Sequence, residues 1–253
     1  MYRNCCRKRF GSIDDPIINY FQEYEELFDE RKRKITLRHL LTMTSGFEWN
    51  ENVSYVNPRN SELRMDLSSD PVHYILSRPL EAEPGVHWNY SGGNTQLLAE
   101  ILRIASGMTI DQFAETELFQ PLGIEKYEWV YLKKNMPAAA SGLRLRSRDL
   151  LKFGMLYMNP SEQNILSAEW IEQSLSSQVK REEPGTGYGF QFFTYTEAVG
   201  DRQVLIQEAR GNGGQRVFFC RAMDLLVVIT AGNYNQWDIA NDSHAAFVKY
   251  ILR

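Results

Sequence analysis

The chain has 253 residues, 43% of them hydrophobic and 24% charged, with a net charge of −4 at pH 7. That length and balance suit one large globular domain with a sizeable core, and the mild acidity argues against electrostatic capture of nucleic acid. No apolar run approaches the ~20 residues of a membrane span, and Met1–Phe10 is basic without the apolar core of an export signal.

Cys5, Cys6 and Cys220 form neither a disulfide framework nor a zinc-ligand spacing. Taken in order, Gly11–Pro16 is a turn and Pro16–Phe28 a short acidic stretch. The basic run Arg31-Lys32-Arg33-Lys34 follows Glu25, Glu26, Asp29 and Glu30, the pattern of a solvated surface. Thr36 caps a helix through Met43 that stops at Ser45-Gly46. Residues 47–70 are polar and read as a long irregular segment of the kind that forms lids. Asp70-Pro71 opens a short helix. The stretch Glu83–Asn94 holds the turn dipeptides Pro84-Gly85 and Gly92-Gly93 around Tyr90. A helix carrying Leu97, Leu98, Ile101, Leu102 and Ala105 follows, with Gly107 as its C-cap.

Thr109–Gln112 fits a capping box for a further helix, stopped by Pro121-Leu122-Gly123. Ser141-Gly142-Leu143 is a small-residue turn. Ser147 or Asp149 begins a helix that ends at Asn159-Pro160, and Ser167 begins another. From Gly185 the character changes: Tyr188–Tyr195, Gln203–Ala209, Arg216–Arg221 and Leu225–Ala231 are β-rich runs between turn residues. A C-terminal helix over Asn241–Leu252 presents Ala246, Phe247, Tyr250 and Ile251 as its apolar face. The pattern is α+β, mainly helical over about 17–183, then a meander of three or four antiparallel strands and a helix over about 184–253.

Three stretches carry candidate chemistry. Tyr90 precedes a helix N-terminus, where the helix dipole favours an anion and neighbouring positive charge would lower the phenol toward a useful base. Gly211-Asn212-Gly213-Gly214-Gln215 leads into a strand, and its glycines let a backbone N–H approach a ligand closely. Such turns also occur in ordinary hairpins. The third stretch is the helix end Thr44-Ser45-Gly46.

In combination and order these motifs resemble serine hydrolases related to class C β-lactamases and penicillin-binding proteins. The carriers are Ile35–Gly46, Pro84-Gly85-x-x-x-Asn89-Tyr90-Ser91, Ser141-Gly142-Leu143 with Ser147-x-Asp149-Leu150 and Phe153-Gly154, Tyr188-Gly189-Phe190, and Gly211–Gln215. The Gly-Asn-Gly-Gly-Gln form is closer to the esterase and aminohexanoate-oligomer-hydrolase branches than to β-lactamases with a Lys-Thr-Gly triplet. The resemblance implies a β-lactamase/transpeptidase-like fold, an antiparallel sheet flanked by helices plus a helical subdomain, in a single domain over 1–253. It implies acyl transfer through an acyl-serine to water, with a small-molecule or peptide-like amide or ester substrate and neither cofactor nor metal. Tyr90 takes the proton-shuttle role. Asn212, Gly213, Gly214 and Gln215 form the strand-edge motif and supply one oxyanion N–H, and Trp88 and Ser91 wall the cleft.

The family places Ser-x-x-Lys upstream of the tyrosine, and this sequence holds that pattern only at Ser177-Gln178-Val179-Lys180. The expectation is therefore a chain incomplete at its N-terminus and inactive as given, without the nucleophile helix and the first strands of the sheet, leaving an exposed sheet edge. The alternative is a non-catalytic ligand-binding member or a pseudogene product of the same family. His39, His73, His87 and His244 share no ligand spacing, Cys220 reads as a buried small hydrophobe, and Phe47 and Trp49 are further cleft-wall candidates.

Overall fold

The computed structural model describes residues 11–159 and 165–252; Cys5, Cys6 and Pro160 lie outside them. The chain forms two compact units that divide between Arg144 and Leu145.

The first unit is mostly helical. Helix α1 (Leu37–Leu41) begins at Thr36, whose hydroxyl accepts from the His39 N–H while His39 Nδ1 accepts from the Thr36 N–H. This reciprocal pair satisfies two otherwise orphaned donors. The helix ends earlier than expected: Thr42 is its C-cap and Met43 turns to φ 59°. Residues 47–70 are not irregular throughout. Asn60 caps α2 (Ser61–Leu67) by accepting from the Leu63 N–H, a signal masked by the surrounding polar residues. Asp70 and Pro71 open α3 (Pro71–Leu76) as expected. Helix α4 (Gly92–Ser106) is the longest, capped by Ser91 and closed by Gly107 at φ 77°. Its buried Leu97, Leu98, Ile101 and Leu102 pack among α1, α2 and α3, with Leu40 and Ile75 fully buried there. Each such aliphatic side chain contributes roughly 1.5–3 kcal/mol on burial.

Thr109 caps α5 (Ile110–Ala114) with Gln112 in the expected box, and a wider helical turn carries the chain to Phe119. A two-stranded sheet, β1 (Tyr127–Trp129) and β2 (Leu143–Leu145), was not legible, because three-residue strands carry too little alternation.

The basic run is paired residue by residue rather than uniformly solvated. Arg31 bonds Glu83 and Arg33 lies 3.0 Å from Glu25. Lys32 is buried, its ammonium donating to the Leu76 carbonyl at the end of α3 over 2.7 Å. There it complements the negative helix terminus.

The second unit starts with α6 (Ser147–Met158), where Asp149 inside the first turn is held by Arg146 and Lys152. Helix α7 (Ala168–Leu175) is capped by Ser167. The sheet then has six antiparallel strands in sequence order: β3 (Val179–Lys180), β4 (Thr186–Tyr188), β5 (Phe193–Val199), β6 (Arg202–Arg210), β7 (Arg216–Cys220) and β8 (Leu225–Ile229). This exceeds the expected three or four. The run Tyr188–Tyr195 is two strands, broken where Gly189 N–H bonds the Phe192 carbonyl and Gln191 adopts φ 69°.

Two short helices follow, α8 (Trp237–Ala240) and α9 (Asp242–Tyr250). On one sheet face Phe247 of α9 stacks on Phe218 at 3.9 Å; on the other, Tyr157 of α6 meets Phe192 and Phe219 edge-on. The apolar face assigned to α9 is corrected. Tyr250 is 72% exposed and Ile251 also faces out, whereas Phe247 and Leu252 are buried. Among the described residues β3 and β8 are the sheet's two outer strands, and all five residues of β8 are half-buried.

Candidate active site

Tyr90 stands immediately before the Ser91 cap of α4, in a loop sewn to the end of α1. The Asn89 N–H donates to the Met43 carbonyl at 2.9 Å, and the Gly85 N–H to the Thr44 carbonyl at 2.8 Å. Ser45 Oγ donates to Asn94 Oδ1 at 2.8 Å, and the Asn89 amide to the Trp49 carbonyl at 2.8 Å. Two motifs distant in sequence, Thr44-Ser45-Gly46 and Asn89-Tyr90-Ser91, thus form one rigid construction.

The charge around Tyr90 is opposite to expectation. Burial first, then the carboxyl groups of Glu51 and Glu62, push its phenol well above the ordinary tyrosine value. The positive end of α4 already has an anion: Glu51 Oε1 accepts from the Gly92 N–H at 2.6 Å. It accepts from Trp49 Nε1 at 2.5 Å as well, while Tyr55 donates its hydroxyl to Oε2 at 2.7 Å. The helix dipole therefore stabilises a glutamate rather than a tyrosinate. Glu51 and Glu62 are 7% and 4% exposed. Burial and the neighbouring Glu51 raise Glu62 well above the carboxylate range, and the same causes lift Asp66 to about 6. Residues 47–70 thus supply buried acids beneath the turn, a feature missed because their partners are far away in sequence.

The other expected site residues are placed as follows. Ser91 is 2% exposed, and its hydroxyl accepts from the Asn94 N–H as the helix cap, so it is not a cleft wall. Trp88 is half-buried. Phe47 and Trp49 are core residues: Lys32 sits over the Phe47 ring, and Trp49 packs edge-on to Tyr74.

In the second unit, Asn212–Gln215 lie in the turn between β6 and β7. Gln215 holds the turn from inside, its Oε1 accepting from the Gly213 N–H at 2.9 Å and its Nε2 donating to the Ala231 carbonyl at 2.7 Å. The Gly214 N–H donates to Gly211, the Gly213 carbonyl accepts from Asn233, and Asn212 Oδ1 accepts from the Asn235 N–H. Arg216 anchors the same turn, donating to the Gly211 and Gln215 carbonyls and pairing with buried Glu208 at 2.8 Å.

Ser177 is exposed, and Val179–Lys180 is a strand, so Ser177 and Lys180 do not share a helical turn. Cys220 is fully buried, and burial raises its thiol. His39 is a capping partner and His244 lies against the Tyr195 ring. Among the described residues no group of His, Cys, Asp or Glu could hold a metal ion, and no helix is long and apolar enough to cross a membrane. A cavity of about 600 Å³ lies elsewhere in the first unit, lined by Tyr24, Asp70, Gln96, Glu100, Arg103 and Lys134 among others; none of the expected site residues lines it.

Comparison with known proteins identifies relatives and a family for the chain. Over 100 residues the chain is 35% identical to monacolin J acid methylbutanoyltransferase of Aspergillus terreus (strain NIH 2624 / FGSC A1156), covering 38% of this chain and 23% of that protein. Over 140 residues it is 29% identical to penicillin-binding protein 4* of Bacillus subtilis (strain 168), covering 54% and 29%. The chain thus spans about a quarter of the length of each of these two curated relatives. A solved structure from Bacillus anthracis, provisionally assigned as a 6-aminohexanoate-dimer hydrolase, superposes with a TM-score of 0.74 at 20% identity, covering 96% of this chain and 68% of that one. That likeness shows the β-lactamase/transpeptidase-like fold. The pattern that defines the Beta-lactamase family matches residues 9–248, and the chain belongs to that family.

Proposed function

We propose that the protein of which these residues are part transfers an acyl group from an amide, ester or lactam to water or another acceptor through an acyl-serine. The family match over residues 9–248, a family of hydrolase and acyltransferase type, carries this reading. Tyr90 is the proton-transfer residue and the Gly211–Gln215 turn supplies an oxyanion N–H, each role resting on the resemblance of its motif. The acidic surroundings of Tyr90 support a phenol that is protonated at neutral pH and therefore begins the cycle as a proton donor. A small-molecule or peptide-like substrate suits the proposal.

The nucleophile is not provided by Ser177, whose exposed side chain bonds only the nearby Val179 carbonyl among its described contacts. The 253-residue polypeptide should accordingly resist labelling by a fluorophosphonate or a fluorescent penicillin. A longer polypeptide that includes a helical Ser-x-x-Lys should label stoichiometrically, and Tyr90→Phe in that protein should slow acylation by about 10²–10⁴-fold. Labelling of the 253-residue chain at Ser177 would overturn the reading, as would full-rate acylation of the Tyr90→Phe protein. Saturable ligand binding by the longer protein without labelling would instead identify a non-catalytic family member.

A further inference from the structure

The pair of buried acids beneath the tyrosine turn has a chemistry of its own. Every described contact to Glu51 is from a donor: the Trp49 and Gly92 N–H groups reach Oε1, and the Tyr55 hydroxyl reaches Oε2. An N–H cannot accept, so Oε1 carries no proton. Glu62 Oε2 and Glu51 Oε1 converge on the same point, 2.8 and 3.1 Å from where a Gly92 Cβ would lie, and the Glu51 and Ser141 side chains act on the Glu62 carboxyl. Two neighbouring, buried carboxyl groups cannot both be ionised without a large penalty, and one retains a proton. Glu51 Oε1 accepts from two N–H groups at the positive end of α4, whereas burial raises Glu62 well above the carboxylate range, so the shared proton is assigned to Glu62.

The pair also sits where a side chain would be. A Cβ on Gly92 would lie 2.8 Å from Glu62 Oε2 and 3.1 Å from Glu51 Oε1, so the helix start approaches both carboxyls only because residue 92 has none. We propose that Glu51 and Glu62 are a proton-sharing carboxyl pair that positions the Tyr90–Gly92 turn, with Glu62 donating to a Glu51 carboxylate that in turn anchors the first N–H of α4. The inference rests on the proposed role of Tyr90 for its relevance to catalysis.

The consequence for Tyr90 is electrostatic. The pair holds one negative charge at the N-terminus of a 15-residue helix, beside the phenol. That charge opposes formation of a tyrosinate and keeps Tyr90 a donor. The titratable groups facing the pair are Tyr55, Asp66 and Tyr90. Glu51 and Glu62 act through the turn and the field, and so are positioning residues.

The experiment uses the 253-residue polypeptide and needs no turnover. At pH 8, where Asp66 with its value of about 6 is ionised, infrared spectroscopy should show a protonated-carboxyl C=O band. The band should vanish in Glu62→Gln and persist in Asp66→Asn. Carbon-13 NMR of ring-labelled tyrosine, with the Tyr90 signal assigned through Tyr90→Phe, gives the second readout. Glu62→Gln, whose amide donates as the acid did, should move the Tyr90 midpoint less than Glu51→Gln does. Glu51→Gln, which removes the charge, should lower its midpoint by about one pH unit or more. Absence of the infrared band in the wild type, or equal effects of the two variants on Tyr90, would overturn the proposal. Should Glu51→Gln fail to fold, the infrared band and its loss in a folded Glu62→Gln still decide it. Failure of these readouts is separable from failure of the functional reading, which is judged by acyl labelling.

Discussion

Asp66 shows how burial translates into pH dependence at the scale of one side chain. Its carboxyl is raised to about 6 by desolvation and by Glu51, and its buried Oδ1 has no hydrogen-bond partner among the described residues. A folded-state value above the unfolded one means that the folded chain holds the proton more tightly. The stability is therefore full below the unfolded value near ~4 and is lost as pH rises through about 6. Asp66→Asn, which cannot ionise, should be neutral at pH 4 and stabilising at pH 8, on the order of 1–2 kcal/mol after allowing for partial exposure. Thermal melts of both proteins across that range test it; equal shifts at both pH values would show that the charge is not the cause. Glu62 behaves in the same direction.

Among the elements, the β6–β7 hairpin depends on an ion pair that its Gly-rich turn conceals. Glu208 is fully buried and bonded by both Arg210 and Arg216, and Arg216 is itself only 6% exposed. Removing one partner of a buried pair leaves an uncompensated charge and costs about 3–5 kcal/mol. Glu208→Gln should therefore lose stability of that order in urea denaturation. Arg210→Met removes a partner that is one-third exposed, and should cost about 1 kcal/mol or less. Comparable losses in the two variants would mean that the hairpin is held by packing rather than by the pair. Because Gln215 and Arg216 supply internal bonds to this turn, its shape is fixed before any ligand arrives.

For the whole molecule, the family, the α+β order and most helix starts were legible because their signals are local. Thr36, Asp70, Thr109 and Ser167 each cap a helix within three residues, and Pro71 and Gly107 mark ends by their own backbone preferences. Ser91, expected as a cleft wall, and Gly92-Gly93, expected as a turn, instead cap and begin α4. What escaped was non-local. The sheet reached six strands because β3 and β4 are short and β4 is separated from β5 only by a Gly189–Phe192 turn inside an apolar run. The charge state around Tyr90 was misread because its neighbours come from 41 residues earlier, as in the bond from Gly92 to Glu51. Periodicity detects which face of an element is buried, but not which buried acid it meets.

The missing side chain at position 92 also has a consequence for how such a sequence can drift. An alanine there would press on Glu62 Oε2 at 2.8 Å and on the Ala140 methyl at 3.0 Å, so Gly92→Ala alone should be destabilising by about 1–3 kcal/mol. Retracting the acid by one methylene, Glu62→Asp, opens that space while retaining a carboxyl. The double variant should be less harmful than the two single losses added together, with a coupling of about 0.5–3 kcal/mol in a double-mutant cycle; simple additivity would show that the two positions are independent. Positions 51, 62 and 92 are thus one heritable unit under epistasis. With that coupling a lineage changes the unit more readily through paired substitutions, and a library that randomises one position at a time will undervalue each change.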